Sequence, residues 1–181
     1  MKPYDYAHRF GVRSITWQDF ASLAAHLAEL LEPHHPQLIL GIARAGLFPA
    51  TAVACSLRCE LFPIRLTRRV NDKVIVDQPV WKVPIPPDVA GKVVAVVDEI
   101  SDTGQTLAMA AENARNLGAA QVVTASLVSH SWANPRPQVT ALISDEFIIF
   151  PWDQRVLVNG KWIDHPEVIA GLKAQARTSS G

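Results

Sequence analysis

In the stretch VVAVVDEISDTGQTL, residues 93–107, an apolar β-branched run ends in two adjacent carboxylates, Asp98 and Glu99. A short turn then presents Asp102, Thr103, Gly104, Gln105 and Thr106 just ahead of an alanine-rich helical segment. A strand that stops at small hydroxylated residues and is followed at once by a helix builds an anion site. Backbone N–H groups converge there, and the positive end of the helix dipole adds to them. The turn from Asp102 to Thr106 is therefore the expected seat of a phosphate. Gly104 suits it, since a backbone that approaches a phosphate closely or takes a positive φ is best served without a side chain. Two acids directly before the turn would repel that phosphate, so Asp98 and Glu99 must serve another part of the ligand. A sugar diol, or its magnesium ion, is the natural candidate. Phosphate at one end and ribose at the other describe a ribose phosphate. A Walker phosphate loop is excluded, because no Lys-Ser or Lys-Thr follows the glycine at the required spacing.

VVDEISDTGQTL resembles the phosphoribosyl-pyrophosphate signature of the type I phosphoribosyltransferases, an acidic pair followed by Asp-Thr-Gly-x-Thr. The resemblance implies that Asp98 and Glu99 hold the ribose hydroxyls and the associated Mg2+, and that Thr103, Gly104, Gln105 and Thr106 bind the 5′-phosphate. Gln105 stands where many relatives carry Lys. GIARAGLFPA, residues 41–50, resembles the family's pyrophosphate segment, with Arg44 as the cation, Ala45 in place of a commoner glycine, and Gly46. A fixed guanidinium is well suited to the charge that develops on a leaving pyrophosphate. In purine-specific relatives the Asp of Asp-Thr-Gly faces the ring nitrogen that loses or shares a proton. Asp102 is thus a candidate general base or base-orienting group, and its residue type also suits an N-cap for the helix after Gly104.

Base recognition is expected from SHSWANPRP and EFIIFPWD. The second resembles the ending of bacterial and archaeal xanthine, guanine and hypoxanthine enzymes. It implies Phe147 at the stacking position, Ile148 offering backbone groups to the purine edge, Asp153 closing the motif, and Trp152 in a structural role. An aromatic face under a heterocycle is a general platform for a base. His130 occupies the place of a lysine that contacts the ring carbonyl in purine relatives.

The elements that must position these residues follow from periodicity. Phe20, Leu23, Leu27, Leu30 and Leu31 recur at helical spacing, and Thr16 with Asp19 forms a capping pair, which predicts a helix over about 17–32. His34, His35 and Pro36 end it; His26, His34 and His35 read as solvated or capping groups rather than metal ligands. QLILGI and ELFPIRL read as strands, with ARAGLFPATAVACSL between them as a loop and helix, and VTASLV, TALI and FIIF as later strands. This alternation predicts an α/β fold, an open, mainly parallel twisted sheet flanked by helices, with a small hood from the C-terminal segment. Residues 67–88 mix paired basic residues, an Asn-Asp turn and four prolines without a sustained period. Such a segment is expected to be a lid, with Arg68, Arg69 and Lys73 reaching the pyrophosphate on closure. RVLVNGKWI predicts a hairpin about Asn159-Gly160, Asp164 is placed to cap a terminal helix, and RTSSG should fray.

The 181 residues suit one phosphoribosyltransferase domain, with a core over about 15–130, the base-recognition hood over about 130–165 and the lid over 67–88. Lys plus Arg and Asp plus Glu each number 17, so no global basic field exists to hold nucleic acid. No apolar run reaches the roughly 18–20 residues needed to span a bilayer, and MKPYDYAHRF has no hydrophobic signal core, which together predict a cytoplasmic protein without a membrane partner. Cys55 and Cys59, four apart on a helix, read as small buried apolar residues rather than a metal site or disulfide. The resemblance implies a homo-oligomer, dimer or tetramer, that makes a nucleoside monophosphate and pyrophosphate from phosphoribosyl pyrophosphate and a purine nucleobase, a 6-oxopurine first, in purine salvage. Alternatives are a same-fold enzyme acting on another base, such as a pyrimidine, and a non-catalytic regulator that binds ribose phosphates.

Overall fold

A computed structural model describes Arg9 and residues 11–67, 69–70, 73–74 and 80–178. In chain order its elements are β1 (Val12–Ser14), α1 (Trp17–Leu31), β2 (Leu38–Ile42), α2 (Leu47–Leu57), β3 (Glu60–Thr67), β4 (Arg69–Val70), β5 (Lys73–Val74) and β6 (Val80–Val83). There follow β7 (Val93–Ser101), α3 (Gln105–Asn116), β8 (Gln121–Ser129), β9 (Val139–Ile143), β10 (Phe147–Ile149), β11 (Arg155–Val158), β12 (Lys161–Asp164) and α4 (Pro166–Thr178). They divide into two compact units, one of Ser22–Ser144 and one of Met1–Ala21 with Asp145–Gly181.

The larger unit is built on a six-stranded sheet of order β6-β3-β2-β7-β8-β9. Every neighbouring pair is parallel except β3 and β6. The central strands are apolar on both faces because both are covered, as parallel sheets require. Leu38, Leu40, Ile42, Val94 and Val96 join Leu107, Ala110, Ala111 and Ala114 of α3 in one core cluster. The alternate residue Gly41 lies against α2, where an added Cβ would stand 2.8 Å from the Ala50 methyl and from Leu47. Each fully buried Leu, Ile or Val here contributes about 1.5–3 kcal/mol relative to exposure.

α1 begins at the expected capping pair: Asp19 N–H donates to Thr16 Oγ1 (3.1 Å), and Thr16 N–H donates to Asp19 Oδ2 (2.9 Å). The hydrogen bonds from Thr16 hold the Asp19 carboxyl below its ordinary value. A short 3-10 turn, Glu32–His34, follows α1, and His35 ends it in the left-handed region. Two expectations change. The segment expected as an aperiodic lid contributes β6, which pairs with the open edge of β3, where unpaired backbone groups accept a further strand. Cys55 is exposed and Cys59 half-buried rather than core, because α2 buries the stripe of Ala50, Val53 and Ala54 and leaves Cys55 on another side. The backbone of Arg69 and Lys73 lies in the β4–β5 ladder; their side chains, and Arg68 altogether, lie outside the described residues.

In the smaller unit β1 pairs parallel with β10, a pairing that three residues without alternation did not announce. Trp152 stacks on Phe150 at 4.9 Å between centroids and meets Phe20 edge to face at 5.4 Å, in keeping with a structural role. The hairpin of β11 and β12 turns at Asn159 (φ 48) and Gly160 (φ 76), the positive-φ pair that such two-residue turns demand. The cap of α4 is His165, not Asp164: Asp164 is the last residue of β12, and His165 Nδ1 accepts the Glu167 N–H at 3.1 Å. The frayed end expected at RTSSG lies largely outside the described residues.

Candidate active site

The chain turns from β2 outward to β3 and from β7 outward to β8, so β2 and β7 flank the point where strand order reverses. Ligands of open α/β sheets bind at the carboxyl ends of strands at such a switch point. Two of the segments singled out from sequence meet there. After β2, the Ala43–Arg44 peptide is cis, Arg44 is exposed, and the Arg44 and Ala45 carbonyls accept N–H bonds from Leu47 and Phe48, which start α2. Gly46 is pressed against the end of β7: an added Cβ would stand 2.5 Å from the Ile42 carbonyl oxygen and 2.6 Å from Asp98 Oδ1. The loop with Arg44 and the acidic pair are thus packed together, and only glycine fits between them.

Asp98 is buried, and its Oδ1 accepts the Glu99 N–H at 2.9 Å. Burial first, and the neighbouring Glu99 charge second, push its carboxyl well above the usual carboxylate range. Beyond the pair the backbone turns through Ser101, Asp102 and Thr103 to Gly104, which takes φ 82 and stands at the N-cap of α3. At the start of α3 the Gln105 N–H donates to Thr103 Oγ1 at 3.5 Å. The Oδ1 of Asp102 accepts the indole N–H of Trp132 at 3.2 Å.

The loop after β8 completes this end of the sheet. Asn134 N–H donates to the Thr103 carbonyl at 3.0 Å, and the Pro135 carbonyl occupies the space a Cβ on Gly104 would need. His130 does not project into the open. It is 1% exposed, its Nδ1–H donates to the Ser144 carbonyl at 2.6 Å, and its ring stacks under Trp132. It also forms part of the wall of a cavity of about 210 Å3 with Ser129, Gln138 and Thr140. Trp132 was missed in the sequence, where it sat inside a segment assigned to the base without a role of its own. The available signal was an aromatic residue two positions after His130 on a loop at the carboxyl end of the sheet.

In the smaller unit Phe147, Ile148 and Asp153 follow one another along β10 and the turn after it. Phe147 is buried against α4, where a Cβ on Gly171 would lie 2.6 Å from its ring. Asp153 N–H donates to the Phe150 carbonyl at 3.0 Å.

Residues 15–159 match the family model described as phosphoribosyl transferase domain. The chain is a type I phosphoribosyltransferase. The purine phosphoribosyltransferase of Pyrococcus horikoshii Ot3 superposes on it with a TM-score of 0.71 and 30% identity, over 83% of this chain and 99% of that one. The xanthine-guanine-hypoxanthine phosphoribosyltransferase of Helicobacter pylori shares the fold with a TM-score of 0.68 at 17% identity, over 90% and 99% of the two chains. In sequence, the adenine phosphoribosyltransferase of Rhodospirillum centenum (strain ATCC 51521 / SW) is 27% identical over 142 residues, 69% of this chain and 83% of that protein. This phosphoribosyltransferase therefore has the mixed α/β fold and the general activity of its family, transfer of a phosphoribosyl group to a purine or pyrimidine base. Among the described residues no helix is long and apolar enough to cross a membrane.

Proposed function

We propose that this phosphoribosyltransferase converts a purine and phosphoribosyl pyrophosphate into a nucleoside monophosphate and pyrophosphate, with 6-oxopurines ahead of adenine, in purine salvage. The observation that carries the reading is the convergence, at the switch point between β2 and β7, of the loop that carries Arg44, the acidic pair and the start of α3 at Gly104. In the proposed arrangement Thr103, Gly104, Gln105 and Thr106 bind the 5′-phosphate through backbone and hydroxyl donors. Arg44, with the backbone of Ala45 and Gly46, takes the pyrophosphate, whose charge grows as its bond to the ribose carbon breaks and the bond to the base nitrogen forms. Asp102 addresses the ring nitrogen, holding the base or accepting its proton. Arg68, Arg69 and Lys73 are the cations of the proposed lid, which excludes water from an oxocarbenium-like transition state.

Asp98 and Glu99 fit a magnesium ion. Burial first, and the neighbouring Glu99 charge second, raise the Asp98 proton affinity, which a bound cation would offset, and magnesium takes only one or two protein carboxylates where phosphates and water supply the rest. Bound there, the ion would neutralise charge on the departing pyrophosphate.

The 6-oxopurine preference rests on EFIIFPWD, with Phe147, Ile148 and Asp153 as its base-binding group. His130 enters less directly than its place in the sequence suggested, because its Nδ1–H already serves Ser144. A second reading, adenine as the base, is favoured by the match to the Rhodospirillum centenum enzyme. Incubating hypoxanthine, guanine, xanthine, adenine, uracil and orotate separately with phosphoribosyl pyrophosphate and Mg2+, with nucleotide and pyrophosphate both measured, decides between them. The highest kcat/KM is expected for a 6-oxopurine; a higher value for adenine establishes the second reading, and a pyrimidine in first place overturns both.

A further inference from the structure

The loop after β8 is tied to the phosphate turn at three points. His130 N–H donates to the Ser101 carbonyl (3.1 Å), Asn134 N–H donates to the Thr103 carbonyl (3.0 Å), and the Pro135 carbonyl lies over Gly104. Between these ties stands Trp132, whose indole N–H donates to Asp102 Oδ1. The indole is 38% exposed, yet it has a firm seat: its ring lies on the His130 ring, centroids 4.4 Å apart and planes 15° from parallel. His130 is held in turn by its ring, through Nδ1–H to Ser144, and by its backbone, whose carbonyl accepts the Ala133 N–H at 3.2 Å. A buried imidazole held through one ring nitrogen and through its own backbone is a rigid floor, and an indole stacked on it points its single donor in one direction. A donor of fixed direction on a carboxylate oxygen sets the rotation of the whole carboxylate, and geometric precision of that kind is what orients a reacting group.

We infer that Trp132, seated on His130, is a positioning residue for Asp102, holding the carboxylate in the orientation from which it addresses the base. The inference rests on the reading of Asp102 as the base-facing group. It also explains the buried His130: the imidazole acts on the base through Trp132 and Asp102 rather than by touching it.

Three variants test it: Trp132→Phe, which keeps a ring on His130 and deletes the donor, Asp102→Asn, and the two combined. Each is assayed with phosphoribosyl pyrophosphate, Mg2+ and the purine turned over fastest by the parent. Trp132→Phe is expected to lower kcat about tenfold, the scale of one hydrogen bond to a charged group, with KM for phosphoribosyl pyrophosphate changed less than about twofold. In the Asp102→Asn background it is expected to have no further effect, because the carboxylate that the indole positions is gone. An equal loss in both backgrounds overturns the inference and makes the indole an independent contact, such as a stacking face for the base. Asp102→Asn crippled beside an intact Trp132→Phe sinks the positioning role alone. A fully active Asp102→Asn, or no turnover of any purine by the parent, removes the functional reading and the inference with it. The contact itself is read without turnover: of the five tryptophan indole N–H resonances in 15N-labelled protein, the one absent from Trp132→Phe should move in Asp102→Asn. If it stays in place, the hydrogen bond does not exist and the inference falls.

Discussion

Asp98 carries the main electrostatic tension among the described residues of this site. Its carboxyl is desolvated and faces Glu99, so the folded chain binds a proton there more tightly than the unfolded chain does. A group whose folded-state proton affinity is raised contributes stability that is complete below the unfolded pKa and lost as pH rises through the folded value. Replacing Asp98 by Asn removes that loss. Asp98→Asn is expected to melt higher than the parent by a margin that grows as pH rises from the ordinary aspartate range, and to show no margin below about pH 4; thermal melts across this range check it. The role proposed for the pair predicts the opposite sign for activity. Replacing Asp98 by Asn and Glu99 by Gln together should leave a folded protein, by circular dichroism, with no measurable phosphoribosyl transfer. Full activity in the folded double variant would remove both residues from ribose and magnesium binding.

At the scale of elements, the start of α3 and the loop after β8 behave as one piece. Gly104 needs φ 82, and the Pro135 carbonyl fills the place of its missing side chain. Gly104→Ala therefore meets two penalties. The left-handed backbone alone costs about 1–2 kcal/mol for a residue with a Cβ, and the clash adds to it unless the loop moves away. Urea titration should show at least that loss. If the variant relieves the clash by displacing the loop, the Trp132 hydrogen bond to Asp102 goes with it, and turnover falls further than stability. Wild-type stability in Gly104→Ala would mean that the loop is not clamped to the turn.

For the molecule as a whole, balance of charge is the dominant fact. Seventeen cationic and seventeen anionic side chains place the isoelectric point near 7.0, where repulsion between molecules is weakest. Solubility is expected to pass through a minimum near neutral pH and to rise on either side, and binding to a polyanion such as heparin should be weak at physiological salt. Precipitation assays from pH 5 to about 9 measure the first. A minimum well away from neutrality would show that buried groups such as Asp98 carry a charge different from the formal one.

Much of this was written in local pattern. The acidic pair, the turn of small residues and the helix after them are contiguous in sequence, so their strand-turn-helix was legible without a fold, as were the capping pair at Thr16 and the hairpin turn at Asn159-Gly160. The parallel sheet followed from apolar runs too long and too uniform to have a wet face. What only the tertiary structure decided depends on partners distant in the chain. Gly46 meets Asp98 because β2 and β7 are neighbours in the sheet, although Gly46 and Asp98 are 52 positions apart in the chain. His130 is a buried prop because Ser144, at the far end of the next strand, supplies a carbonyl to its ring, and Trp132 reaches Asp102 because β7 and β8 end side by side. A residue's type states which bonds it is able to make; which partner stands within reach is set by the register of strands, and that register is fixed by burial of the whole sheet rather than by any residue near the site.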